Sequence, residues 1–263
     1  MIRIGASTAN LYPMETEKAL DVLLQLGIKT IEIFLNSVCE TEPQFVQMLR
    51  RKADEAGAQI VSVHPYTSVA EPYLFFTEYE RRFSDGLKEY EKLFQVCKAL
   101  GASYLIMHGD RMATPSSLPE SLSLQRFAQI RQLGKRYGVT LLQENVCRNR
   151  SRDPAFLRAM RQQLGGEAAF VLDFKQAIRS EQTVDTVLQA MGDRVAHIHI
   201  SDHDEQHDCL VPGRGIQNFE GIFKQLEQQK FDGAVIIELY RQNYGEPQEL
   251  VDGICFLQQF VKK

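Results

Sequence analysis

Short apolar runs alternate with longer amphipathic segments along this chain of 263 residues. Runs with the length and β-branched content of buried strands cover residues 2–6, 30–34, 59–64, 104–108, 140–144, 169–173, 195–200 and 234–239. Apolar residues recur at helical spacing over residues 15–26, 42–56, 85–100, 122–137, 183–191, 219–230 and 248–261, and Asp153-Pro154 begins a further helix that ends at Gly165. An aromatic-rich connection is expected over residues 71–83. The pattern therefore predicts eight strand-then-helix units.

The regular alternation of strands and helices predicts a fold of the α/β class. Such alternation implies a parallel sheet, and eight units of this length imply a closed (β/α)8 barrel, or TIM barrel, built as a single domain over residues 1–263. A doubly wound open sheet is the main alternative, but its ligand site would lie near one topological switch point. Polar residues instead end most of the strands, as they do at a barrel mouth. No Gly-x-Gly-x-x-Gly motif follows the first strand, so a dinucleotide cofactor is not expected.

Alternation along each strand also predicts which side chains fill the barrel. Counting back by two from a polar residue at a strand end gives residues on the same face. From His64 this places Ser62 and Ile60 inside, and from His108 it places Ile106 inside. These residues would lie beneath a polar top layer.

Four of the predicted strands end in side chains that are costly to bury. The seventh strand alternates strictly, so that His197 and His199 share one face. Three other runs end in Glu144, Asp173 and Glu238. An interior acid at a strand end costs several kcal/mol unless it is paired, solvated or bound to a metal. We therefore expect each of these acids to have one of those three kinds of partner.

We expect the strand ends to carry the chemistry, because the active site of a (β/α)8 barrel lies at the carboxyl ends of its strands. Strands five to eight would bring together Glu144, Asp173, His199 and Glu238. Three carboxylates and one imidazole favour a hard or borderline divalent ion such as Mn²⁺, Mg²⁺, Co²⁺ or Zn²⁺. Such an ion can hold two neighbouring substrate oxygens and act as a Lewis acid. The alternative is that the acids form salt bridges with arginine or lysine across the barrel mouth.

Further side chains are predicted to line a substrate pocket at the same rim. His64 and His108 end strands three and four, and pocket lining is the main interpretation for both, with metal ligation as the lesser one. Arg148 follows strand five and Lys175 follows strand six. Both could hold a substrate phosphate or carboxylate, and the alternative is a solvated loop with partial acid pairing.

Composition and charge argue against several classes of protein. The chain is 44% hydrophobic and 24% charged, as ordinary globular domains are, and no apolar run reaches membrane-spanning length. Its formal charge of −4 provides no global basic field for nucleic acid or anionic membrane. The five cysteines are scattered without a Cys-x-x-Cys pair, and the first residues lack the basic and apolar regions of a signal peptide. We therefore expect a cytoplasmic protein.

Seven short motifs lie at or near the predicted strand ends. They are Val63-His64-Pro65-Tyr66, Met107-His108-Gly109, Glu144-Asn145, Leu172-Asp173, His197-Ile198-His199-Ile200-Ser201-Asp202, Pro212-Gly213-Arg214-Gly215 and Ile237-Glu238-Leu239-Tyr240. In combination they resemble the xylose isomerase-like TIM barrel superfamily over essentially the whole chain. That group holds sugar and sugar-phosphate isomerases and epimerases, inosose-processing enzymes and the AP endonucleases of the same fold.

The resemblance implies a site and a reaction. The ketose 3-epimerase branch of the superfamily uses a Glu, Asp, His, Glu metal site, and the matching residues are Glu144, Asp173, His199 and Glu238. By the same resemblance, Glu144 and Glu238 are the catalytic acid/base pair on opposite faces of the substrate carbon. One departure is Gln176, which stands where the family usually has a histidine. An amide cannot hold a proton as imidazole does, so substrate or chemistry could differ accordingly.

The leading hypothesis is a divalent-metal-dependent isomerase or epimerase that acts on a small sugar, polyol or sugar derivative by proton transfer next to a metal-polarised carbonyl. The alternatives are an inosose-type polyol dehydratase, an AP-endonuclease-like zinc phosphodiesterase and a barrel that binds a ligand without turnover. Cys209-Leu210-Val211 replaces the His-x-His pair of the AP-endonuclease branch, which argues against a three-zinc cluster and a nucleic-acid partner. The sugar, the need for a phosphate, the metal and the oligomeric state stay open, a homo-oligomer included.

Overall fold

Eight parallel strands close into a barrel in the computed structural model, which describes residues 1–112 and 118–261. The strands are β1 Arg3–Ser7, β2 Thr30–Phe34, β3 Gln59–His64, β4 Tyr104–Met107, β5 Thr140–Glu144, β6 Phe170–Asp173, β7 Val195–Ile200 and β8 Ala234–Ile237. Each strand pairs in parallel with its neighbours in sequence, and β8 pairs with β1. The predicted single-domain (β/α)8 TIM barrel is thereby confirmed.

Helices follow the strands and form the outer layer. They are α1 Thr16–Gln25, α2 Pro43–Glu55, α3 Glu71–Phe75, α4 Glu80–Leu100, α5 Glu120–Lys135, α6 Pro154–Leu164, α7 Phe174–Arg179, α8 Val184–Met191, α9 Phe219–Gln228 and α10 Gln248–Gln258. Helix α4 begins before the expected residue 85, and Phe83 in its first turns packs into the core. In the described part of the chain, every helix is too short or too polar to cross a membrane.

Two short helices were not expected from the sequence pattern. Helix α3 lies within the connection over residues 71–83, and α7 follows β6 without an intervening loop. Neither is long enough to display a helical hydrophobic period. Helix α7 is instead fixed at its start by Asp173, whose Oδ1 accepts a hydrogen bond from the backbone N–H of Gln176 at 2.9 Å. The rim aspartate therefore also shapes the segment that follows it.

The barrel interior agrees with the predicted alternation except in β3 and at the start of β7. Ile106 packs inside, and Ser62 points into the same interior. The register between β2 and β3 shifts after Ile31, which leaves an extra residue in β3. As a result Val61 joins an inner cluster with Ala234, whereas Ile60 packs in the outer core. The prediction that Ile60 fills the barrel is wrong, because the bulge reverses the alternation at that point. In β7 the register with β6 shifts after Phe170, so Ala196 packs in the inner cluster and Val195, predicted to lie inside, packs in the outer core.

Candidate active site

The four predicted metal ligands meet at the carboxyl end of the barrel. Glu144 ends β5, Asp173 ends β6, His199 lies in β7 and Glu238 follows β8. One donor atom from each lies within 4.8 Å of the others, and all four side chains are buried. From His199 Nδ1 the distance is 2.9 Å to Oε2 of Glu238, 3.5 Å to Oδ2 of Asp173 and 3.9 Å to Oε1 of Glu144.

Backbone contacts fix the aspartate of this cluster. Asn145 accepts a hydrogen bond from the Asp173 N–H at 2.7 Å and donates one to its carbonyl oxygen at 2.9 Å. Oδ1 of Asp173 is used to cap α7. Consequently Oδ2 is the oxygen that faces the other acids. Gln176, in α7, accepts a hydrogen bond from the Cys147 N–H at 3.0 Å, so its side chain links α7 to the loop that follows β5.

Lys175 lies among the acids rather than in a solvated loop. Its side chain is buried, and its Nζ donates hydrogen bonds to Oδ2 of Asp173 and, at 2.6 Å, to Oε2 of Glu238. Burial alone would lower the pKa of Lys175, but the Asp173 and Glu238 carboxylates outweigh it and raise that pKa well above its usual range. The acids thus have a lysine partner, in addition to forming a donor set suited to a metal.

Glu32 is a functional candidate that the sequence analysis missed. It is fully buried in β2, and its Oε2 lies 3.0 Å from Nε2 of His197 and 3.1 Å from Nε2 of His199. Ser62 donates a further hydrogen bond to the same oxygen at 2.7 Å. Burial opposes ionisation, but the two histidines lower the pKa of Glu32 well below its usual range. The sequence feature that could have indicated a role for Glu32 is that it is a single acid in the middle of the apolar run of β2.

Glu32 determines which nitrogen of His199 faces the acid cluster. Because Nε2 of His199 is bonded to Glu32, Nδ1 points toward Glu144, Asp173 and Glu238. Burial would lower the pKa of His199, but Glu32 and Glu238 raise it well above its usual range. An imidazole held in this way by a carboxylate behind it has the arrangement found around metal-binding histidines.

The two remaining rim histidines form a second donor group that shares Glu144. Nε2 of His64 and Nε2 of His108 are 3.0 Å apart. Oε2 of Glu144 lies 3.6 Å from the former and 3.3 Å from the latter. Burial would lower the pKa of His108, but Glu144 raises it above its usual range. Both histidines therefore line the same rim as the four-residue cluster.

A cavity of about 380 Å³ opens beside these groups. Its wall includes His108, Arg111, Arg148, Gln176, Arg179 and Tyr240. Arg179 is paired with Asp208, whereas within the described residues no carboxylate forms an ion pair with the exposed Arg148. A larger cavity of about 770 Å³ lies at the opposite end of the barrel, near Met1 and Phe260, and is remote from every acid of the cluster. The smaller, polar cavity at the rim is therefore the one that adjoins the acid cluster and its histidines.

The donor set at the rim fits a divalent cation. His199 Nδ1 and Glu144 Oε2 are buried and make no hydrogen bond of regular geometry, although Nδ1 lies 2.9 Å from Oε2 of Glu238 and Oε2 of Glu144 lies 3.3 Å from Nε2 of His108. Buried polar atoms without partners are rare in folded proteins, and a bound ion is one way in which such atoms are satisfied. Carboxylate oxygens and imidazole nitrogens suit Mg²⁺, Mn²⁺, Co²⁺ or Zn²⁺. The buried groups of this rim could therefore bind a metal, and Glu144, Asp173, His199 and Glu238 are the residues whose donor atoms converge.

The fold is similar to that of several sugar epimerases of known structure. The D-allulose 3-epimerase from Methylomonas sp. is 18% identical, with a TM-score of 0.80 over 99% of this chain and 98% of the other. The D-psicose 3-epimerase from Clostridium cellulolyticum H10 is 14% identical, with a TM-score of 0.78 over 98% and 97%. The 3-keto-D-glucoside 4-epimerase from E. coli is 17% identical, with a TM-score of 0.77 over 98% and 100%.

The sequence comparisons place the chain in one family. An uncharacterised protein of Mycobacterium leprae is 22% identical over 270 residues, which cover 91% of this chain and 89% of that protein. An uncharacterised protein of Mycobacterium tuberculosis is 22% identical over 261 residues, which cover 90% and 89%. The sequence model of the family described as "Xylose isomerase-like TIM barrel" matches residues 20–260, and the chain therefore belongs to that family.

Proposed function

We propose that the protein is a divalent-metal-dependent isomerase or epimerase of a sugar or sugar derivative. The observation that carries this proposal is the convergence of three carboxylates and one imidazole beside a polar cavity at the barrel rim. The sugar epimerases with a similar fold support a sugar as the substrate class. A cavity of about 380 Å³ is in the size range of sites for small ligands.

Glu144, Asp173, His199 and Glu238 would hold the cation. When bound, the cation supplies Lewis-acid polarisation of a substrate carbonyl and so acidifies the adjacent C–H. Asp173 and His199 act as fixed ligands, because one is held by Asn145 and the other by Glu32. Such outer partners orient the ligands and keep the imidazole in one tautomer.

Glu144 and Glu238 are the proposed acid/base pair. They lie at the ends of β5 and β8, which are separated in the barrel by two other strands, so their carboxylates reach the common centre from different directions. One carboxylate removes the proton from the carbon next to the carbonyl, and the other returns a proton to the opposite face. The configuration at that carbon is thereby inverted, with no net change in composition.

Four further residues are proposed to contact the substrate. His108 and Arg148 line the rim cavity, and His64 adjoins His108. Lys175 follows Asp173 at the same rim, and its ammonium group contacts Asp173 and Glu238. These groups supply hydrogen bonds to substrate hydroxyls, and the guanidinium of Arg148 suits a phosphate or carboxylate if the substrate carries one.

Exchange of substrate hydrogen with solvent deuterium tests the proposal. A panel of ketoses and inososes is incubated with metal-loaded protein in D₂O, and the products are followed by NMR and mass spectrometry. We expect deuterium at one carbon, and a rate about 10²–10⁴ times lower in Glu144→Gln and in Glu238→Gln, the range for loss of a general acid or base. Glu40→Gln is the control, because Glu40 is a buried acid in the connection after β2 that is bonded to Thr16 and Asn36 and to none of the cluster residues.

The same experiment separates the alternatives. Turnover at the wild-type rate in both glutamine variants contradicts the two-glutamate mechanism. A product lighter by one water identifies a dehydratase, since an epimerase conserves mass. Binding of a sugar without exchange in any condition identifies a barrel that binds a ligand without turnover.

A zinc phosphodiesterase is the second candidate, and one observation favours it. His64, His108 and Glu144 form a donor group that shares Glu144 with the main cluster, and two adjoining metal sites are typical of phosphoester hydrolysis. The net charge of −4 and the presence of Gln176 argue against it. Two or more zinc ions per chain together with cleavage of abasic DNA identify this activity, whereas one ion per chain and sugar turnover exclude it.

A further inference from the structure

The ammonium group of Lys175 uses the same oxygen atoms that a cation in the rim cluster would need. Nζ of Lys175 lies 2.6 Å from Oε2 of Glu238 and donates a second hydrogen bond to Oδ2 of Asp173. These two oxygens are also the ones that face Nδ1 of His199, at 2.9 Å and 3.5 Å. A metal ligated by Glu238, Asp173 and His199 would therefore share its oxygens with a buried positive charge.

We propose that Lys175 is an internal competitor for the divalent cation, and that the two exclude each other from the Asp173–Glu238 pair. This competition presupposes the cation site of the proposed function. The side chain supplies the counter-charge that keeps the acid cluster folded when no metal is bound. A cation must break both ion pairs and displace the ammonium before it gains these oxygens.

Charge and burial together favour competition between Lys175 and the cation over simultaneous binding of both to Asp173 and Glu238. Asp173, Lys175 and His199 are each no more than 4% exposed, so water screens their charges only weakly. Two cations sharing the same two oxygens at this depth would repel each other strongly. Four carboxylates approach His199 here, namely Glu32, Glu144, Asp173 and Glu238, and without a metal they need positive charge nearby. Lys175 provides it within hydrogen-bond distance of Asp173 and Glu238.

The rim cavity is a space that the displaced side chain of Lys175 could enter. The rim cavity of about 380 Å³ is lined by Gln176, the next residue in α7, and by Tyr240, close behind Glu238 in the chain. An ammonium group that leaves the two acids for this cavity would move from a buried position toward solvent and would face the space proposed for the substrate. Cation binding would thus move Lys175 from a structural ion pair into the substrate-contact role of the proposed function.

Metal binding to a neutral variant tests the competition without any substrate. Lys175→Met keeps a side chain of similar length and removes the charge. Isothermal titration of Mn²⁺ into metal-stripped protein is expected to give a Kd lower by roughly tenfold or more in Lys175→Met than in the wild type. The melting temperature of metal-free Lys175→Met is expected to fall, and Mn²⁺ is expected to restore it. A variant that folds only when Mn²⁺ is present gives the same support, because the ion then replaces the missing charge.

Lys135→Met is the matched control. Lys135 Nζ forms an ion pair with Glu167, also at 2.6 Å, but on the surface and away from the rim. Its removal should leave Mn²⁺ affinity unchanged. Lys175→Gln provides a second neutral variant, whose amide retains a hydrogen-bond donor, if the methionine variant is recovered in low yield.

Equal Mn²⁺ affinity in the wild type and both Lys175 variants overturns the competition, as does undetectable Mn²⁺ binding in all of them. The outcome is independent of the exchange assay, because no sugar is present. Failure of exchange with intact competition refutes the epimerase proposal alone, whereas normal exchange with equal affinities refutes the role of Lys175 alone.

Discussion

Oε2 of Glu32 lies 3.1 Å from Nε2 of His199, deep in the barrel and beneath the acid cluster. The same oxygen lies 3.0 Å from Nε2 of His197, and both histidines are fully buried. One carboxylate from β2 thus orients two imidazoles from β7 across the barrel interior. Because Nε2 of His199 is engaged, Nδ1 is the nitrogen that the rim acids face.

Replacement of Glu32 by glutamine should weaken cation binding although Glu32 is not itself one of the four rim ligands. The amide keeps the shape of the side chain but carries no charge to fix the histidine tautomer. Loss of such an outer partner typically costs about 10–100-fold in metal affinity, and we expect a change of this size for Mn²⁺. Titration calorimetry measures it, with Glu40→Gln as the control for a buried acid that contacts none of the cluster residues. Unchanged affinity in Glu32→Gln would remove the positioning role.

The pairing of Glu32 with His199 also predicts a pH dependence of stability. The pKa of His199 is raised in the folded protein by Glu32 and Glu238, against the effect of burial. A group whose pKa is raised on folding stabilises the protein at pH values below its unfolded-state pKa, about 6.5 for histidine, and loses that contribution as the pH rises through the folded-state value. The difference in unfolding free energy between metal-free wild type and Glu32→Gln should therefore be larger at pH 6 than at pH 9.

Urea denaturation at a series of pH values measures this difference, and NMR of the histidine rings reports the protonation of His199 directly. A stability difference that does not vary between pH 6 and pH 9, together with a neutral His199 ring at pH 6, would contradict the proposed charge pairing. Glu40→Gln again supplies the comparison, because Glu40 accepts hydrogen bonds from Thr16 and Asn36 rather than from a histidine.

The architecture could be predicted because each strand and most helices have a recognisable pattern of apolar residues in the sequence. Strands β5 and β6 are short apolar runs that finish in Glu144 and Asp173, and β7 carries His199 at its last position but one. Parallel strands bring such ends to one rim. Convergence of these residues therefore follows from the fold alone. The two short helices α3 and α7 have no such pattern, because they are too short for apolar residues to recur at helical spacing.

Partners across the barrel could not be predicted in the same way. Glu32 is one acid within an alternating strand, and its meaning depends on which face of β2 points inward. The bulge beside Val61 shows that the inward-facing residues of a strand cannot be found simply by counting along it or its neighbour. Lys175 could be placed at the rim from sequence, but the choice between a substrate contact and an ion pair with Asp173 depends on a long side chain with many rotamers.

Arg148 should matter for an anionic substrate. It lines the rim cavity, is exposed, and within the described residues has no carboxylate in ion-pair contact. Hydrogen bonds to charged groups are worth about 1.5–3 kcal/mol, so Arg148→Gln should raise KM by roughly 10- to 100-fold for a phosphate- or carboxylate-bearing substrate. Steady-state kinetics measure it, and Arg158→Gln, which alters an exposed arginine of α6, is the control. An unchanged KM would rule out contact between Arg148 and the anionic group.

The cysteines should differ sharply in their reactivity. All five are free; Cys39 and Cys255 are exposed, whereas Cys97 and Cys209 are buried. Burial raises the pKa of Cys209 to about 11, with Lys175 acting in the opposite direction. Because only the thiolate reacts, iodoacetamide at pH 8 should modify Cys39 and Cys255 in the native protein but reach Cys209 only after denaturation. Peptide mass spectrometry measures the modification, and equal rates at Cys39 and Cys209 would show that the rim opens in solution.

Gly5 should be irreplaceable for steric reasons, because β1 and β2 approach closely there. A Cβ atom added at Gly5 would lie 1.9 Å from the carbonyl oxygen of Thr30 and 2.6 Å from its carbonyl carbon. Both are backbone atoms of a closed barrel, in which a strand cannot withdraw without breaking its pairs with β3 or β8. We expect Gly5→Ala to lower the free energy of unfolding by about 3 kcal/mol, the upper part of the usual overpacking range.

Gly166→Ala is the matched control for that experiment. A Cβ at Gly166 would meet no heavy atom within 4 Å, so the same chemical change should alter stability by less than about 1 kcal/mol. Urea denaturation of the two variants measures both effects under identical conditions. Equal stability of Gly5→Ala and Gly166→Ala would mean that the barrel yields at the first strand, and the close approach of β1 to β2 would then not constrain the closed sheet that holds the rim residues together.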